Sequence, residues 1–208
     1  GSPLAGLQQG GALLRHGNDE VAWLAEQPPI PLARLRMDSS HGAGMQTVAG
    51  VLGLDLPTVP NTVAVGELAT AWWTSPDEWF IQGRAGQADD LAERLGAIVE
   101  GVFAQVTRQG SASSIVHLAG PAARDVLNGG CPLDLDPGVF RPGQCAQSIY
   151  FKTAIMLRPL ADDGSQWELV FRRSFADYAV RMLMDAIDLL ALEAAGAQVH
   201  RLRMLSAG

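Results

Sequence analysis

The order of predicted secondary-structure elements, which recurs in both halves of the chain, is the feature that most constrains its fold. In the first half, apolar residues alternate where we predict strands and recur every three to four positions where we predict helices. The predicted elements are a strand at 32–37, a helix capped by Ser39 or Ser40 and ended by Gly53, strands at 62–74 and 79–82, a helix at 88–103 and a strand at 104–107. This βαββαβ order is typical of a ferredoxin-like unit, in which helices cover one face of an antiparallel sheet.

The second half of the chain is predicted to have the same order. Its elements are a strand at 114–118, a helix at 122–127, extended segments at 144–151 and 155–160 that form one bent strand or a hairpin, a strand at 167–172, a helix capped by Ser174 that ends near residue 192, and a strand at 199–205. Trp79 and Trp167 begin corresponding strands of the two halves, which suggests an internal repeat. The sequence therefore predicts an α+β fold of two tandem ferredoxin-like units with antiparallel sheets and helices on one face.

The predicted boundaries give an arm followed by two units that together form one compact folding unit. Residues 1–30 are predicted to be an N-terminal arm, because paired glycines and prolines interrupt any regular element there. Within this arm, residues 21–25 could pair at a sheet edge or lie on a neighbouring chain. The first βαββαβ unit is predicted at residues 31–110 and the second at residues 111–208.

Charge and cysteine content narrow the class of protein. The net charge is -7 and the isoelectric point is near 5.0, so the chain lacks the cationic field that nucleic-acid backbones require. No apolar run approaches the length needed to span a bilayer, and the N-terminus lacks the pattern of a signal peptide. Cys131 and Cys145 do not make a disulfide framework and are expected to be buried free thiols. We therefore expect a cytoplasmic protein that binds neither nucleic acid nor membrane.

A search for catalytic and ligand-binding motifs assigns no catalytic, cofactor-binding or metal-binding residue. The sequence contains neither a phosphate-binding P-loop nor a Gly-x-Ser-x-Gly nucleophile motif. The segment Gly42-Ala-Gly44 is more typical of a helix start than of a dinucleotide-binding loop. The four histidines are scattered, and none lies near another donor at metal-ligand spacing. We expect His117, which lies in the apolar strand at 114–118, to be hydrogen-bonded or outward-facing.

The last long helix is unusually apolar around its circumference. Asp177, Arg181, Asp185 and Asp188 make one polar face. The remaining face is broader than the apolar stripe that a surface helix needs. Either this helix is almost entirely covered by its own domain, or it contacts a second chain, and the sequence leaves both alternatives open.

Three of the five tryptophans lie in the stretch from residue 71 to residue 83, Ala-Trp-Trp-Thr-Ser-Pro-Asp-Glu-Trp-Phe-Ile-Gln-Gly, which is predicted to form a β-hairpin. Side chains alternate across a strand, so Trp72 and Trp73 point to opposite faces, and one of them faces outward from its own core or into a second layer. We expect that tryptophan to contact a partner chain. The candidate partner-facing residues are Trp23, Trp72, Trp73, Arg172, Arg173, Tyr178, Met182 and Met184.

A set of short motifs, taken in order, resembles one known family. The motifs are Ser2-Pro-Leu-Ala-Gly6, Leu52-Gly-Leu-Asp-Leu-Pro57 with Pro60-Asn61, Ser75-Pro-Asp-Glu-Trp79, Ala119-Gly-Pro-Ala-Ala-Arg-Asp-Val-Leu127, Cys131-Pro-Leu-Asp-Leu135, Phe140-Arg-Pro-Gly143 with Cys145-Ala-Gln147, and Arg173-Ser-Phe-Ala176. In this combination and spacing the sequence resembles the gamma subunits of heterotetrameric sarcosine oxidases, from near the N-terminus to about residue 190.

The resemblance implies a fold related to the folate-binding aminomethyltransferase, or T-protein, of the glycine cleavage system. It implies a complex of alpha, beta, gamma and delta chains that oxidises sarcosine to glycine, passes the one-carbon unit to tetrahydrofolate and forms hydrogen peroxide. FAD, FMN and NAD are implied for the alpha and beta chains and zinc for the delta chain. The gamma chain is implied to be a structural partner, chiefly of alpha, that binds none of these cofactors.

Two other functions fit the sequence. One is a folate-binding protein that acts alone, with Trp72 or Trp73 stacking on a pteridine ring. The other is the equivalent subunit of a sister complex that oxidises a different N-methylated amine.

Overall fold

The computed structural model describes residues 4–8, 12–100, 104–110 and 112–206, with side chains described as far as residue 198. The described residues form eleven strands and four helices. In chain order these are β1 (Arg15–Gly17), β2 (Trp23–Glu26), β3 (Leu32–Met37), α1 (Gly42–Leu52), β4 (Val63–Val65), β5 (Thr70–Ser75), β6 (Glu78–Gln82), α2 (Leu91–Ile98), β7 (Ala104–Arg108), β8 (Ser113–Ala119), α3 (Ala123–Asn128), β9 (Ala146–Tyr150), β10 (Thr153–Pro159), β11 (Gln166–Arg172) and α4 (Arg173–Ser206).

The strands form two sheets, and the chain divides into two compact units. The five-stranded unit comprises Pro28–Ser113 and Pro142–Gln147, and the six-stranded unit comprises residues up to Gln27, Ser114–Arg141 and residues from Ser148 onward. None of the helices in the described residues combines the length and apolarity that crossing a membrane requires.

The five-stranded sheet has the order β4-β5-β6-β3-β7 and is antiparallel throughout. Its last four strands have the spatial order of a ferredoxin-like unit, so that prediction is confirmed here. The predicted single strand at 62–74 is instead two strands, because the chain turns back between β4 and β5. The Gly66 amide donates to the Ala69 carbonyl at 2.9 Å, and the Arg84 guanidinium donates to the Glu67 carbonyl at 3.1 Å, which fixes this turn.

Helices α1 and α2 and the sheet of this unit enclose a common apolar core. Trp79 is fully buried in it with Leu35 and Ile81, and its indole N–H donates to the Pro57 carbonyl at 2.7 Å.

The predicted serine cap of α1 was wrong. The Ser40 hydroxyl donates to Asp38, whereas the ring nitrogen Nδ1 of His41 accepts a hydrogen bond from the Gly44 amide at 2.9 Å. The predicted C-terminus was correct, since Gly53 adopts a left-handed conformation with φ of 66°. Helix α2 spans Leu91–Ile98 and is shorter than the predicted helix at 88–103, of which residues 101–103 lie outside the described part of the chain.

The six-stranded sheet has the order β1-β2-β8-β11-β10-β9. Strands β8, β11 and β10 correspond to β3, β6 and β5 of the other sheet, and Trp167 on β11 is fully buried like Trp79 on β6. The place beside β8 that corresponds to β7 is taken by β2, which pairs antiparallel with β8 through Leu24↔Leu118 and Ala25↔His117. The N-terminal segment predicted as an arm therefore contributes β1 and β2 to this sheet.

The predicted closing strand at 199–205 was wrong, because α4 is helical from Arg173 to Ser206. Residues 191–195 (Ala-Leu-Glu-Ala-Ala) are strong helix formers, so the helix continues past the predicted end near residue 192. A short alternating pattern cannot outweigh an established helix, and β2 already occupies the strand position. Ser174 lies within the helix rather than at its cap. Strands β9 and β10 form a hairpin around Phe151, whose φ is 51°.

Helix α4 packs against β1, β2, β11 and α3. The side of α4 that faces its own unit is fully buried and consists of small and branched apolar residues: Ala176, Ala179, Val180, Leu183 and Ile187. On β11, Leu169 and Phe171 are likewise fully buried. Their spacing of three and four residues along α4 and of two along β11 explains why one face of each element makes the core.

Candidate functional site

Three ionisable side chains meet on neighbouring strands of the six-stranded sheet. Arg158 on β10 lies directly opposite Glu168 on β11, and its Nε donates to Glu168 Oε1 at 2.7 Å. The ring nitrogen Nε2 of His117, on β8, lies 3.2 Å from Glu168 Oε2. The side chains of Arg158 and Glu168 are only 13% and 9% exposed, so their charges are largely removed from water.

The surroundings of Glu168 keep its carboxylate charged. Burial by itself raises the pKa of this carboxyl, but the hydrogen bond with His117 and the positive charge of Arg158 outweigh burial and hold the pKa below its usual range. Both carboxylate oxygens already have partners within the chain. The cluster therefore ties together β8, β10 and β11, and His117 is hydrogen-bonded, as the sequence predicted.

No metal site accompanies this cluster in the described residues. Among the described residues, no group of three or more His, Cys, Asp and Glu side chains is placed to hold a metal ion. Cys131 and Cys145 are buried free thiols, as predicted. A depression lined by Leu68, Gln87 and Arg94 has a volume of about 30 Å³, which is enough for about two water molecules.

The structure distinguishes the two adjacent tryptophans of β5. Trp72 is fully buried, packs edge-to-face on Phe80 at 6.4 Å between ring centroids, and donates its indole N–H to Gln82 Oε1 at 2.7 Å. Trp73 points to the opposite face, beside Trp79 on β6, and is half-buried. Trp72 is therefore not a surface residue of this chain, and of the pair only Trp73 has exposed area.

Trp23, on β2, is also half-buried. The guanidinium of Arg15 lies over its ring at 4.5 Å from the centroid, which is cation–π geometry. An intramolecular partner thus covers part of this predicted interface residue.

The broad apolar surface of α4 separates into an inward face and an outward stripe. Phe175, Tyr178 and Leu189 are 50%, 43% and 57% exposed, and Met182 lies between them and is half-buried. These four residues are spaced by three, four and seven positions, so they follow one line along the helix. We call them the outer stripe of α4. Its own unit covers the opposite face of α4 and leaves this stripe exposed.

The remaining candidates lie around this stripe. Arg172 ends β11 and Arg173 begins α4, and both are exposed at the end of the helix where the stripe starts. Met184 is half-buried and belongs to the other edge of the helix, beside the polar face. The structure therefore brings Tyr178 and Met182 onto one line, places the two arginines at its end, and separates Met184 from it.

Sequence reasoning missed the outward exposure of Phe175 and Leu189 and the cluster around Glu168. The sequence did contain a signal for this cluster, because Arg158 on β10 and Glu168 on β11 each lie between two apolar neighbours. Charged residues at such positions are rarely buried unless paired. Their pairing depends on strand register, which one sequence does not reveal.

Comparison with known proteins gives consistent matches. The sequence model of the SoxG, or sarcosine oxidase, gamma subunit family matches residues 36–188. Sarcosine oxidase subunit gamma from an Arthrobacter species is 31% identical over 146 residues, which is 70% of each chain. Sarcosine oxidase subunit gamma from Corynebacterium sp. (strain U-96) is 28% identical over 176 residues, covering 81% of this chain and 84% of the relative.

Two solved structures share the fold. A chain of the heterotetrameric sarcosine oxidase from Corynebacterium sp. U-96, in complex with pyrrole 2-carboxylate, matches with a TM-score of 0.79 and 24% identity, over 91% of this chain and 95% of that one. The glycine cleavage system aminomethyltransferase T from Bartonella henselae matches with a TM-score of 0.56 and 16% identity, over 85% of this chain and 52% of that one. The predicted α+β, T-protein-like fold is thereby confirmed.

Proposed function

Because the chain belongs to the sarcosine oxidase gamma subunit family, we propose that it is the non-catalytic gamma subunit of a heterotetrameric sarcosine oxidase. In this proposal the assembled enzyme oxidatively demethylates sarcosine to glycine, transfers the one-carbon unit to tetrahydrofolate and forms hydrogen peroxide. The chain serves as a structural partner, chiefly of the alpha subunit, alongside beta and delta. The cytoplasmic location expected from the sequence is part of the same proposal.

The family match is the observation that carries this proposal. It extends from Arg36 in β3 to Asp188 in α4 and so includes most of both sheets. The geometry supports a structural role, since Glu168, a buried carboxylate that could otherwise act as an acid or base, is held by two partners in its own unit. FAD, FMN, NAD, zinc and tetrahydrofolate are assigned in this proposal to the other subunits.

Five of the candidate interface residues remain part of the proposal as exposed or half-buried positions on the six-stranded unit: Arg172, Arg173, Tyr178, Met182 and Met184. Trp23 and Trp73 also remain, although Trp23 is partly covered by Arg15. Trp72 does not, because its side chain is fully buried within the chain.

Co-expression with the alpha, beta and delta chains tests the proposal. An affinity tag on this chain should recover all four chains in equal amounts, with flavin absorbance and sarcosine-dependent formation of hydrogen peroxide. The same preparation assayed with dimethylglycine shows whether the complex prefers a different N-methylated amine. Elution of this chain as a monomer that never carries a flavoprotein would rule out the assignment.

A further inference from the structure

Helix α1 begins with a hydrogen bond whose geometry fixes the protonation state of one side chain. His41 precedes the helix with φ of -78° and ψ of 79°, and its ring nitrogen Nδ1 lies 2.9 Å from the Gly44 amide nitrogen. A backbone N–H can only donate a hydrogen bond, so Nδ1 is the acceptor and carries no proton. The cap therefore exists only while His41 is neutral, with its ring proton on Nε2.

The sequence of the first turn of α1 makes this cap important. The turn consists of Gly42, Ala43 and Gly44, and glycine is a poor helix former. A Cβ added at Gly42 would meet no atom within 4 Å, so no close contact requires that glycine. The turn also contains no acidic side chain to complement the positive end of the helix dipole. The His41 ring is thus a principal stabiliser of this helix start.

Two carboxylates near the start of α1 favour the protonated ring instead. Oδ1 of Asp38 accepts the hydroxyl and the amide of Ser40 at 2.7 and 2.8 Å, and these bonds, together with the charge of His41, hold the pKa of Asp38 below its usual range. Asp38 therefore stays ionised while His41 titrates, and it attracts the imidazolium. Asp77, from the turn between β5 and β6, accepts the Ser39 amide and hydroxyl and adds a second negative charge at this end.

The neighbouring positive charges lie away from His41. Helix α1 itself contains no charged residue. Arg94 of α2 lines a depression with Leu52, at the opposite end of α1 and roughly 15 Å along the helix axis. Arg36 on β3 alternates with core residues and so points to the other face of the sheet. The Gly44 amide thus requires the neutral ring, whereas the nearby charges attract the protonated one.

We propose that His41 is a proton-operated cap of α1. The neutral ring accepts the Gly44 amide; a proton taken from solvent at Nδ1 turns the acceptor into a donor, and the ring releases Gly44 and pairs with Asp38. Because imidazole changes charge between about pH 5 and pH 8, the order of the first turn responds to pH in that range. An N-cap side chain changes the opening equilibrium of a helix end by about fivefold. This inference is independent of the proposed function.

Solution NMR of the full-length chain tests the proposal. At about pH 8 the nitrogen resonances of the His41 ring should show a bare Nδ1 and a protonated Nε2. Between about pH 8 and pH 5, exchange of the Gly44 amide, corrected for its intrinsic rate, should accelerate about fivefold with the midpoint of the ring titration. In His41→Asn the acceptor does not titrate, so this exchange should not respond to pH. The matched control His16→Asn removes a histidine outside α1 and should leave the response unchanged.

The role of Asp38 is tested by Asp38→Asn, which keeps an oxygen for Ser40 and removes the charge. The transition should move to lower pH, because the protonated ring loses its partner. An unchanged midpoint overturns the pairing with Asp38. A proton on Nδ1 at about pH 8, Gly44 protection that stays constant while the ring titrates, or the same acid response in His41→Asn overturns the proton-operated cap.

Discussion

The pairing of Arg158 with Glu168 predicts a large and specific loss of stability when one partner is removed. Replacing Glu168 with leucine deletes the carboxylate that accepts Arg158 Nε at 2.7 Å and contacts His117 at 3.2 Å. The Arg158 side chain is only 13% exposed, so its charge stays largely buried while it loses the Glu168 counter-charge. Breaking such a pair costs about 3–5 kcal/mol, a large part of the roughly 5–15 kcal/mol that stabilises a typical domain.

The double variant Arg158→Met, Glu168→Leu distinguishes the cost of breaking the charged pair from the cost of losing both side chains. Replacing both charges with apolar side chains of similar size removes the desolvation penalty together with the attraction, so such double variants are often as stable as the parent. We therefore expect the double variant to be more stable than either single variant, with a coupling energy of about 2–3 kcal/mol.

Urea denaturation followed by tryptophan fluorescence measures these free energies. Trp167 is adjacent to Glu168 on β11 and is fully buried, so its emission reports on this sheet. Circular dichroism is recorded in parallel, since a chain with two compact units can unfold in more than one step. Arg181→Met is the control, because it breaks the exposed pair with Asp177 and should hardly move the midpoint. Single variants that each cost less than about 1 kcal/mol, or costs that simply add in the double variant, would refute the reasoning.

Three further predictions use the same unfolding assay. The pKa of Glu168 is lower in the folded than in the unfolded chain, so the stability that its carboxylate provides is fully present above about pH 4.3 and is lost as pH falls through the folded pKa. Acid should therefore destabilise the wild-type chain more steeply than a chain in which both members of the charged pair are apolar; parallel acid profiles would contradict this. Trp79→Phe should cost about 2–3 kcal/mol, because it leaves the Pro57 carbonyl without its 2.7 Å donor and opens space in the core. Gly17→Ala should cost about 2 kcal/mol or more, since φ is 93° and an added Cβ would lie 2.2 Å from the Ala22 carbonyl oxygen. Amide hydrogen exchange should then accelerate in β1 and β2. Unchanged exchange rates there would contradict the expected backbone strain at position 17.

The five-stranded unit was predictable because its signals are local. The turn at Pro76 between β5 and β6, the apolar periodicity of both helices and the glycine after α1 each specify structure within a few residues. The errors in this unit are also local. The predicted strand at 62–74 is interrupted by a turn. Arg84, which follows the turn by more than a dozen residues, stabilises it by donating to the Glu67 carbonyl.

The six-stranded unit was only partly predictable because its sheet is completed by sequence-distant pairing. Strand β2 has four residues and lies in a glycine- and proline-rich segment, so its local pattern is weak. Its partner β8 is about ninety residues away. By contrast, residues 199–205 alternate locally but belong to a helix of 34 residues that continues through them. Alternation over a few residues does not distinguish a strand from the end of a helix.

The apolar character of α4 was predictable from the sequence, but which side of the helix stays exposed was not. The sequence shows that α4 is apolar around most of its circumference, but only packing separates Leu183, which is fully buried, from Leu189, which is 57% exposed. The same holds for Trp72 and Trp73, since alternation places them on opposite faces without indicating which face is covered.

The N-terminal hairpin explains why the outer stripe of α4 is not needed for the fold. Strands β1 and β2 contact α4, where Ile187 is fully buried and where His16 Nε2 lies 2.7 Å from Oδ1 of the exposed Asp188. The unit therefore completes its core with the inward face alone. If the stripe served stability, Leu189→Asp would lower the free energy of unfolding of the isolated chain. We expect that variant to unfold like the wild type, because no buried contact within the unit depends on an exposed leucine.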